Sequence, residues 1–167
     1  RAPEFQSVLQ PFTAESFATG IAQSHAGIGP LAIAVAPDGS ILASGGPGRN
    51  QLFHFSKEGS QSGAPLAEVP FPIYDLAFDC TDRLWAATGG GALLELDAAT
   101  GAIRSQFGDG LTQALAVHPE TGEIYVSSSN GIEIFSPVTQ AFRHFSDLRV
   151  GSLAFEPSTL DSRPSAL

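Results

Sequence analysis

A short motif recurs along this chain of 167 residues and constrains its fold more than any other feature: an alanine between two apolar residues, closed by a polar turn. Its copies are Ile33-Ala34-Val35, Leu76-Ala77-Phe78, Leu115-Ala116-Val117 and Leu153-Ala154-Phe155. Their last residues lie 43, 39 and 38 positions apart. Because self-similarity with a period of about 40 residues is typical of repeat architectures, the motif predicts one supersecondary unit copied along the chain.

Each of the first three copies is followed by short apolar runs, separated by turns rich in Gly and Asp. These runs are 41–43, 84–86 and 124–126 in the second position of the repeat, and 52–55, 93–96 and 132–135 in the third. With a fourth run, as at 103–107, each period holds four strands and no helical periodicity, which is typical of a β-propeller blade. We therefore predict an all-β fold of propeller blades, each a four-stranded antiparallel meander. A β-sandwich also contains many short strands, but it would not explain why the motif returns.

The repeat divides the chain into three blades and the start of a fourth, within one domain. Residues 1–29 form an N-terminal segment that could supply outer strands of another blade. The blades are expected at 30–69, 70–110 and 111–149, with 150–167 opening the fourth. Since closed propellers have about four to eight blades, the ring is incomplete. Either the chain is a fragment of a longer one, or a second copy completes the ring.

Two stretches carry a resemblance to known propellers. Residues 31–43, LAIAVAPDGSILA, resemble the repeat of NHL-type propellers and of their six-bladed, gluconolactonase-like relatives. Residues 94–101, LELDAATG, are similar to the outer hairpin of quinoprotein-type blades. The resemblance extends over about residues 30–157. It implies a partial propeller whose ligands bind on one face, at the loops that lead into the first and third strands of each blade.

Eight residues map to that face and are expected to bind a ligand. They are Arg49, Asn50, Tyr74, Asp75, Asp109, Gln113, Asn130 and Arg149. A gluconolactonase-like metal site would use Glu, Asn and Asp side chains of the inner strands, and Asp75 is the only candidate for such a site. Its equivalents Ala32, Ala114 and Ser152 are poor ligands for Ca²⁺, which takes six or more oxygens. The alternative for Asp75 is a turn cap or an ion pair with Arg49 or Arg149. No catalytic residue is identified.

Charge and hydropathy limit the range of partners. The formal net charge is −9, from 17 acidic and 8 basic residues, which disfavours nucleic acids and anionic membranes as partners. No apolar run approaches the roughly 18 residues of a membrane span. Cys80 is the only cysteine, so the chain forms no internal disulfide. Low Lys content and a first residue that is not Met favour an exported bacterial protein, secreted or periplasmic.

Three functional hypotheses remain open. The first is a non-enzymatic scaffold that binds a protein or a small molecule. The second is part of a metal-dependent enzyme of the lactonase or lyase kind, a Ca²⁺-dependent hydrolase or lyase whose active residues come from blades outside this chain. The third is a structural piece of a large bacterial surface or secreted protein. The partners would also include the remaining blades of a longer chain or a second copy.

Overall fold

The computed structural model describes residues 10–13 and 15–155 of the chain and, at 111–113, the backbone alone. All its regular elements there are strands. They are β1 (Ala18–Thr19), β2 (Ile33–Val35), β3 (Ile41–Gly45), β4 (Gln51–Phe55), β5 (Ser60–Gln61), β6 (Ala67–Glu68), β7 (Asp75–Phe78), β8 (Leu84–Ala87), β9 (Gly91–Leu96), β10 (Ile103–Val117), β11 (Ile124–Ser128), β12 (Gly131–Ser136) and β13 (Ala141–Ser146). The prediction of an all-β fold is confirmed. The described residues contain no helix able to cross a bilayer.

The first blade is a four-stranded antiparallel meander in the order β2-β3-β4-β6. Its register places Ile33 opposite Ala43, and Ala43 opposite Phe53. Directly opposed residues of antiparallel strands lie on the same face of the sheet, so Ile33, Ala43 and Phe53 share one side of the blade. Along each strand, successive side chains point to opposite sides. The long polar insertion between the third and fourth strands holds β5.

The second and third blades are joined in one seven-stranded sheet because β10 belongs to both. Its first part pairs with β9 as the fourth strand of blade two, and its last part pairs with β11 as the first strand of blade three. Gly108 and Gly110, with φ of 63° and 61°, lie where the register shifts. Their left-handed conformation lets the chain bend from the fourth strand of blade two into the first strand of blade three. The predicted division after residue 110 therefore falls inside a continuous strand.

Two apolar clusters hold the three blades together. Between blades one and two the cluster contains Leu42, Leu52, Leu76 and Leu94. Between blades two and three the central side chain is Trp85, which is 1% exposed. The rings of Phe107 and Phe135 lie 6.1 and 5.7 Å from it, centroid to centroid. Trp85 thus packs between the sheets of blades two and three.

The N-terminal segment covers part of the first blade. β1 lies in the segment 1–29 that could supply outer strands, and it pairs in parallel with β5. Ala18 and Ile21 pack on Ala43, Phe53 and Phe55. Gln10 is in a turn, and residues 1–9 lie outside the described residues.

The expected opening strand of a fourth blade, Leu153-Ala154-Phe155, is not a strand in the structure. Each earlier copy of the motif pairs with the strand that follows it, and no partner strand follows here among the described residues. Residues 156–167 lie outside them. Phe155 nevertheless packs on blade three, with ring centroids 4.8 Å from His118 and 4.9 Å from Tyr125.

The turn after the first strand of blade two is organised by a buried carboxylate. Asp79, 5% exposed, accepts hydrogen bonds from Thr81, from the Arg83 backbone and guanidinium, and from the indole N–H of Trp85 at 2.9 Å. Burial would raise the pKa of Asp79, but the hydrogen bonds from Trp85 and Thr81 outweigh it and hold the pKa below its ordinary value. This carboxylate fastens the turn to the aromatic core.

Candidate ligand-binding site

The loops that carry the predicted site residues lie at one end of the sheets. Leu111, where β10 crosses from blade two to blade three, pairs with Gly91 on one side and Ser128 on the other. Those two residues border the β8–β9 and β11–β12 loops. The β3–β4 loop is the corresponding loop of blade one. We call this end of the sheets the loop edge.

Arg49 and Tyr74 are brought together at the loop edge. The Arg49 Nη1 atom donates to the Tyr74 hydroxyl oxygen at 3.2 Å, and the guanidinium carbon lies 5.9 Å from the ring centroid. Arg49 has a φ of 59°, in the left-handed region, and its carbonyl accepts the Ile73 N–H at 2.8 Å. On its other side the Tyr74 ring lies so close to Gly89 that no side chain fits there. The tyrosine is thus held between an arginine and a glycine loop.

Asn50 has a structural role in the same loop. Its Nδ2 atom donates to the carbonyl of Val69 at 2.8 Å and to Glu68 Oε1 at 3.3 Å. The Asn50 carbonyl in turn accepts the Val69 N–H at 2.9 Å. The side chain therefore fastens the loop to the fourth strand of its own blade, and its amide donors are already occupied.

Asp75 does not pair with Arg49 or Arg149, which corrects one alternative of the sequence analysis. Its two carboxylate oxygens accept backbone N–H groups, Oδ1 from Leu76 and Oδ2 from Leu115, both at 2.9 Å. Burial raises the pKa of Asp75, and the two backbone hydrogen bonds oppose that rise. Because Leu115 belongs to the next blade, the carboxylate ties blade two to blade three.

A hydroxyl makes the corresponding tie between blades one and two. The Ser44 Oγ atom accepts the Ala32 N–H and donates to the Ile73 carbonyl, each at 3.0 Å. In blade three, Ser127 Oγ accepts the Ala114 N–H at 2.9 Å. The signal that sequence reasoning missed was a serine at the fourth position of the second strand in two of the three blades.

The remaining predicted site residues are not gathered around Arg49. Asp109, Asn130 and Arg149 are exposed, and none of them contacts Arg49 or Tyr74 in the described part of the chain. The Asn130 N–H donates to Ser128 Oγ at 3.0 Å. Gln113 lies in β10, where only the backbone is described. Among the predicted site residues whose side chains are described, Arg49 and Tyr74 are the pair that hydrogen-bond to each other through their side chains.

A second polar cluster at this edge was missed by the sequence analysis. The His144 ring lies between two carboxylates, with Nδ1 3.1 Å from Glu133 Oε1 and Nε2 3.1 Å from Asp147 Oδ1. The Ser128 hydroxyl also reaches Glu133 Oε1, at 3.4 Å. The hydrogen bond to Glu133 raises the pKa of His144, with a smaller contribution from Asp147. Glu133 and His144 are opposite each other on β12 and β13, a pairing that the sequence alone does not reveal.

No metal centre is formed by the side chains described. Within residues 10–13 and 15–155, no group of three or more His, Cys, Asp or Glu is arranged to hold a metal ion. Asp75 has each oxygen engaged by a backbone donor, and the two carboxylates beside His144 lie at opposite nitrogens of the ring. The described donor set therefore does not fit a gluconolactonase-like calcium site.

The fold and this edge define the chain as part of a β-propeller. Its structure is similar to that of virginiamycin B lyase from Staphylococcus aureus, with 17% identity, a TM-score of 0.53, and coverage of 69% of this chain and 40% of that one. It is also similar to the Pan2 WD40 domain of Neurospora crassa, with 15% identity, a TM-score of 0.58, and coverage of 83% and 47%.

A third similar structure is a gluconolactonase assigned by structural genomics, with 20% identity, a TM-score of 0.50, and coverage of 63% of this chain and 37% of that one. The chain thus spans less than half the length of each of these three proteins. No protein-family model and no curated protein matches the sequence. At these identities the similarity concerns the fold, and it agrees with the predicted partial β-propeller.

Proposed function

We propose that this chain is a binding scaffold and that Arg49 at the loop edge holds an anionic oxygen group of the ligand, a carboxylate or a phosphate. The observation that carries the proposal is the state of its guanidinium. Among the described residues Arg49 has no carboxylate partner, although the chain carries 17 acidic residues, and its side chain bonds only to a neutral phenol. An arginine has five N–H donors in a planar fork that suits a bidentate oxyanion.

The surroundings of Arg49 support this role. Its backbone is fixed by the Ile73 N–H, and its guanidinium rests near the Tyr74 ring, so the side chain is ordered before a ligand arrives. Ordering in advance lowers the entropy cost of binding. The net charge of −9 disfavours anions in general, so binding at Arg49 has to come from the bidentate contact that its guanidinium can make.

An NMR titration tests the proposal. The probes are succinate and inorganic phosphate, added separately to the ¹⁵N-labelled chain. We expect shifts of the Arg49 Nε–H and of the Gly89 and Gly90 amides, and loss of those shifts in Arg49→Ala. Arg104→Ala is the matched control, because Arg104 is exposed and already paired with Asp97 at 2.6 Å. If neither probe moves the Arg49 resonance, or if both variants respond alike, the anion-binding role is excluded.

A second candidate is part of an enzyme of the lactonase or lyase kind. The similarity in fold to a lyase and to a gluconolactonase favours it, and its active residues would come from blades outside this chain. Calorimetric titration with Ca²⁺ tests whether this chain holds a metal by itself. Stoichiometric binding that is lost in Asp75→Asn would support the enzyme, whereas an absence of binding heat would contradict a metal site built on Asp75 within this chain.

A structural piece of a large surface or secreted protein is the third candidate, and it shares with the others an exported location. The acidic composition and low Lys content support export. Fractionation of the source cells tests it. Recovery of the chain in the cytoplasm would contradict both this candidate and the proposed location.

A further inference from the structure

Blades one and three, at the two ends of the array, each expose an apolar surface. The equivalent surfaces between neighbouring blades are buried. We call the side of a blade that faces the preceding blade its front surface, and the side that faces the following blade its back surface. On the front surfaces of blades two and three, the first residues of the motif, Leu76 and Leu115, are each 4% exposed. The equivalent residue of blade one, Ile33, is 64% exposed, as is Val35. The inner half of this front surface is therefore uncovered.

The back surface of blade three is uncovered at its fourth strand, whereas Ile132 in its third strand is only 6% exposed. Trp85 and Leu93, on the back surface of blade two, are at most 1% exposed because blade three covers them. On blade three the equivalents Tyr125 and Ile132 line a cavity of about 250 Å³. Phe145, in the fourth strand, also lines it and is 56% exposed.

The N-terminal segment stands where the fourth strand of a preceding blade would stand. Phe17, directly before β1, lies so close to Gly59 in the turn after β4 that no side chain fits at this glycine. Ala67 of β6 likewise lies close to Gly101 in the turn after β9. β1 also pairs in parallel with β5, in the insertion that precedes the fourth strand β6 of blade one. The segment covers only the outer half of the front surface, at Phe53 and Phe55.

The C-terminal segment stands where the first strand of a following blade would stand. Phe155 contacts Tyr125 and His118, so this segment covers only the inner half of the back surface of blade three. Ala154, between the two apolar residues of the motif, is exposed. Its equivalents Ala34 and Ala77 pack within the clusters that contain Leu76 and Leu115 of the next blade.

The uncovered halves at the two ends are complementary, and we propose that a second copy of this chain fills them, head to tail. Residues 153–155 of one copy would provide the first strand, and β1 of the other the fourth strand, of a blade shared between copies. Ala154 of one copy then packs on Ile33 and Val35 of the other, which repeats the contacts already present between blades. Such a contact joins two different surfaces, and two such contacts around one axis close a dimeric ring. The two copies contribute three blades each and the two contacts form two shared blades, so the ring has about eight blade positions, within the usual range.

The oligomeric state tests the proposal directly. We expect light scattering after gel filtration to give a dimer for the full chain, and a monomer for the double variant Ile33→Glu, Val35→Glu. Both side chains are largely exposed within one copy, so this variant should keep its fold, and circular dichroism checks that. The matched control is Val138→Glu, which is 92% exposed and outside both surfaces and should remain a dimer. A wild-type chain that is monomeric at about 100 μM would overturn the proposal and leave further blades of a longer chain as the occupant.

Disulfide trapping tests the head-to-tail arrangement. In a Cys80→Ser background, we mix Ile33→Cys chains with Ala154→Cys chains and oxidise them. The proposal requires crosslinks between the two kinds of chain in preference to crosslinks within either kind. Crosslinking of Ile33→Cys chains with each other would indicate a face-to-face dimer and would overturn the shared blade.

Discussion

The carboxylate of Asp75 in blade two accepts the backbone N–H of Leu115 in blade three at 2.9 Å, across 40 positions of the sequence. It lies on the first strand of blade two and links two blades there, as the Ser44 hydroxyl links blades one and two. In this position the carboxylate is a link between repeats. Its oxygens are used within the fold, which is why the ligand proposal rests on Arg49 instead.

Removal of this link should lower stability. In Asp75→Ala the Leu115 N–H loses its acceptor inside the protein, and an unsatisfied buried donor costs about 1–3 kcal/mol. Urea unfolding followed by the fluorescence of Trp85, the single tryptophan, measures the loss. Asp109→Ala, at an exposed position of the same edge, should change the free energy of unfolding by less than about 0.5 kcal/mol. Equal effects of the two variants would contradict the role of the link.

The pH dependence of stability should carry a contribution from Asp75. Burial raises its pKa above the ordinary 3.8, so the folded state holds this proton more tightly than the unfolded state. The stabilisation by the protonated form is complete below pH 3.8 and is lost as the pH rises through the folded pKa. Asp75→Asn should remove this contribution, which is visible as a flatter stability curve on the acid side. An unchanged curve would exclude the raised pKa.

Asp79 should contribute with the opposite sign. Its pKa is lowered in the folded state, so its stabilisation is present above the ordinary pKa and is lost as the pH falls through the folded value. Asp79→Ala removes the acceptor of the Trp85 indole and of the Arg83 guanidinium. We expect a loss on the order of 3 kcal/mol at pH 7.

Thermal unfolding at pH 7 and at a series of pH values below 3.8 measures the effect of Asp79→Ala, because the contribution of the carboxylate is lost only in that lower range. Asp82→Asn is the control in the same turn, since Asp82 is exposed and has a φ of 62°, a conformation that Asn tolerates. A loss in Asp79→Ala no larger than in this control would show that the buried carboxylate does not hold the turn.

Gly101 should tolerate no side chain. Its φ is 72°, and a Cβ there would collide with the Cβ of Ala67 in the blade before it. Gly101→Ala should therefore destabilise by more than the roughly 1 kcal/mol of backbone strain alone. Gly63→Ala, where a Cβ meets nothing within 4 Å, should be neutral or slightly stabilising. Chemical denaturation of the two variants compares them, and a neutral Gly101→Ala would argue against this contact between blades.

His144 should titrate above the ordinary value of 6.5, because the hydrogen bond to Glu133 and the nearby Asp147 favour its protonated form. The stabilisation that it contributes is present below pH 6.5 and disappears as the pH rises through the folded pKa. An NMR titration of its ring protons measures that pKa. Glu133→Gln should lower it toward 6.5, and Glu58→Gln, an exposed acid in blade one, should leave it unchanged.

The strands of the three blades were largely predictable because their signals are local. Apolar alternation and turn chemistry located the second and third strands of each blade, and Gly101 ends its turn with the positive φ expected of it. The prediction of a strand at 153–155 was wrong, because a first strand forms only when a second strand pairs with it, and the motif itself does not provide that partner. The continuous β10 was not predicted, because blade two was taken to end at residue 110, whereas the strand continues from Ile103 to Val117 through Gly108 and Gly110.

The candidate site was predictable only as an edge. The loop positions followed from the order of strands, and in the structure Arg49 bonds to Tyr74 while Asp75 bonds to backbone N–H groups. The ligand-binding role of the eight residues stays a prediction. The partner of Asp75 was not predicted, because carboxylates were expected to pair with arginines. A backbone N–H has no identity in a sequence, and Leu115 gives no sign that its amide is free to donate.

Period, strand order and the apolar side of each strand were determined by the sequence itself, since they depend on residues within a few positions of one another. The tertiary structure decided which polar groups meet: Arg49 with Tyr74, Ser44 with Ile73, and Asp75 with Leu115. These pairs join residues 25 to 40 positions apart, and their contact depends on the angle and spacing at which one sheet stacks on the next. Packing of the whole array sets that geometry, and no local pattern encodes it.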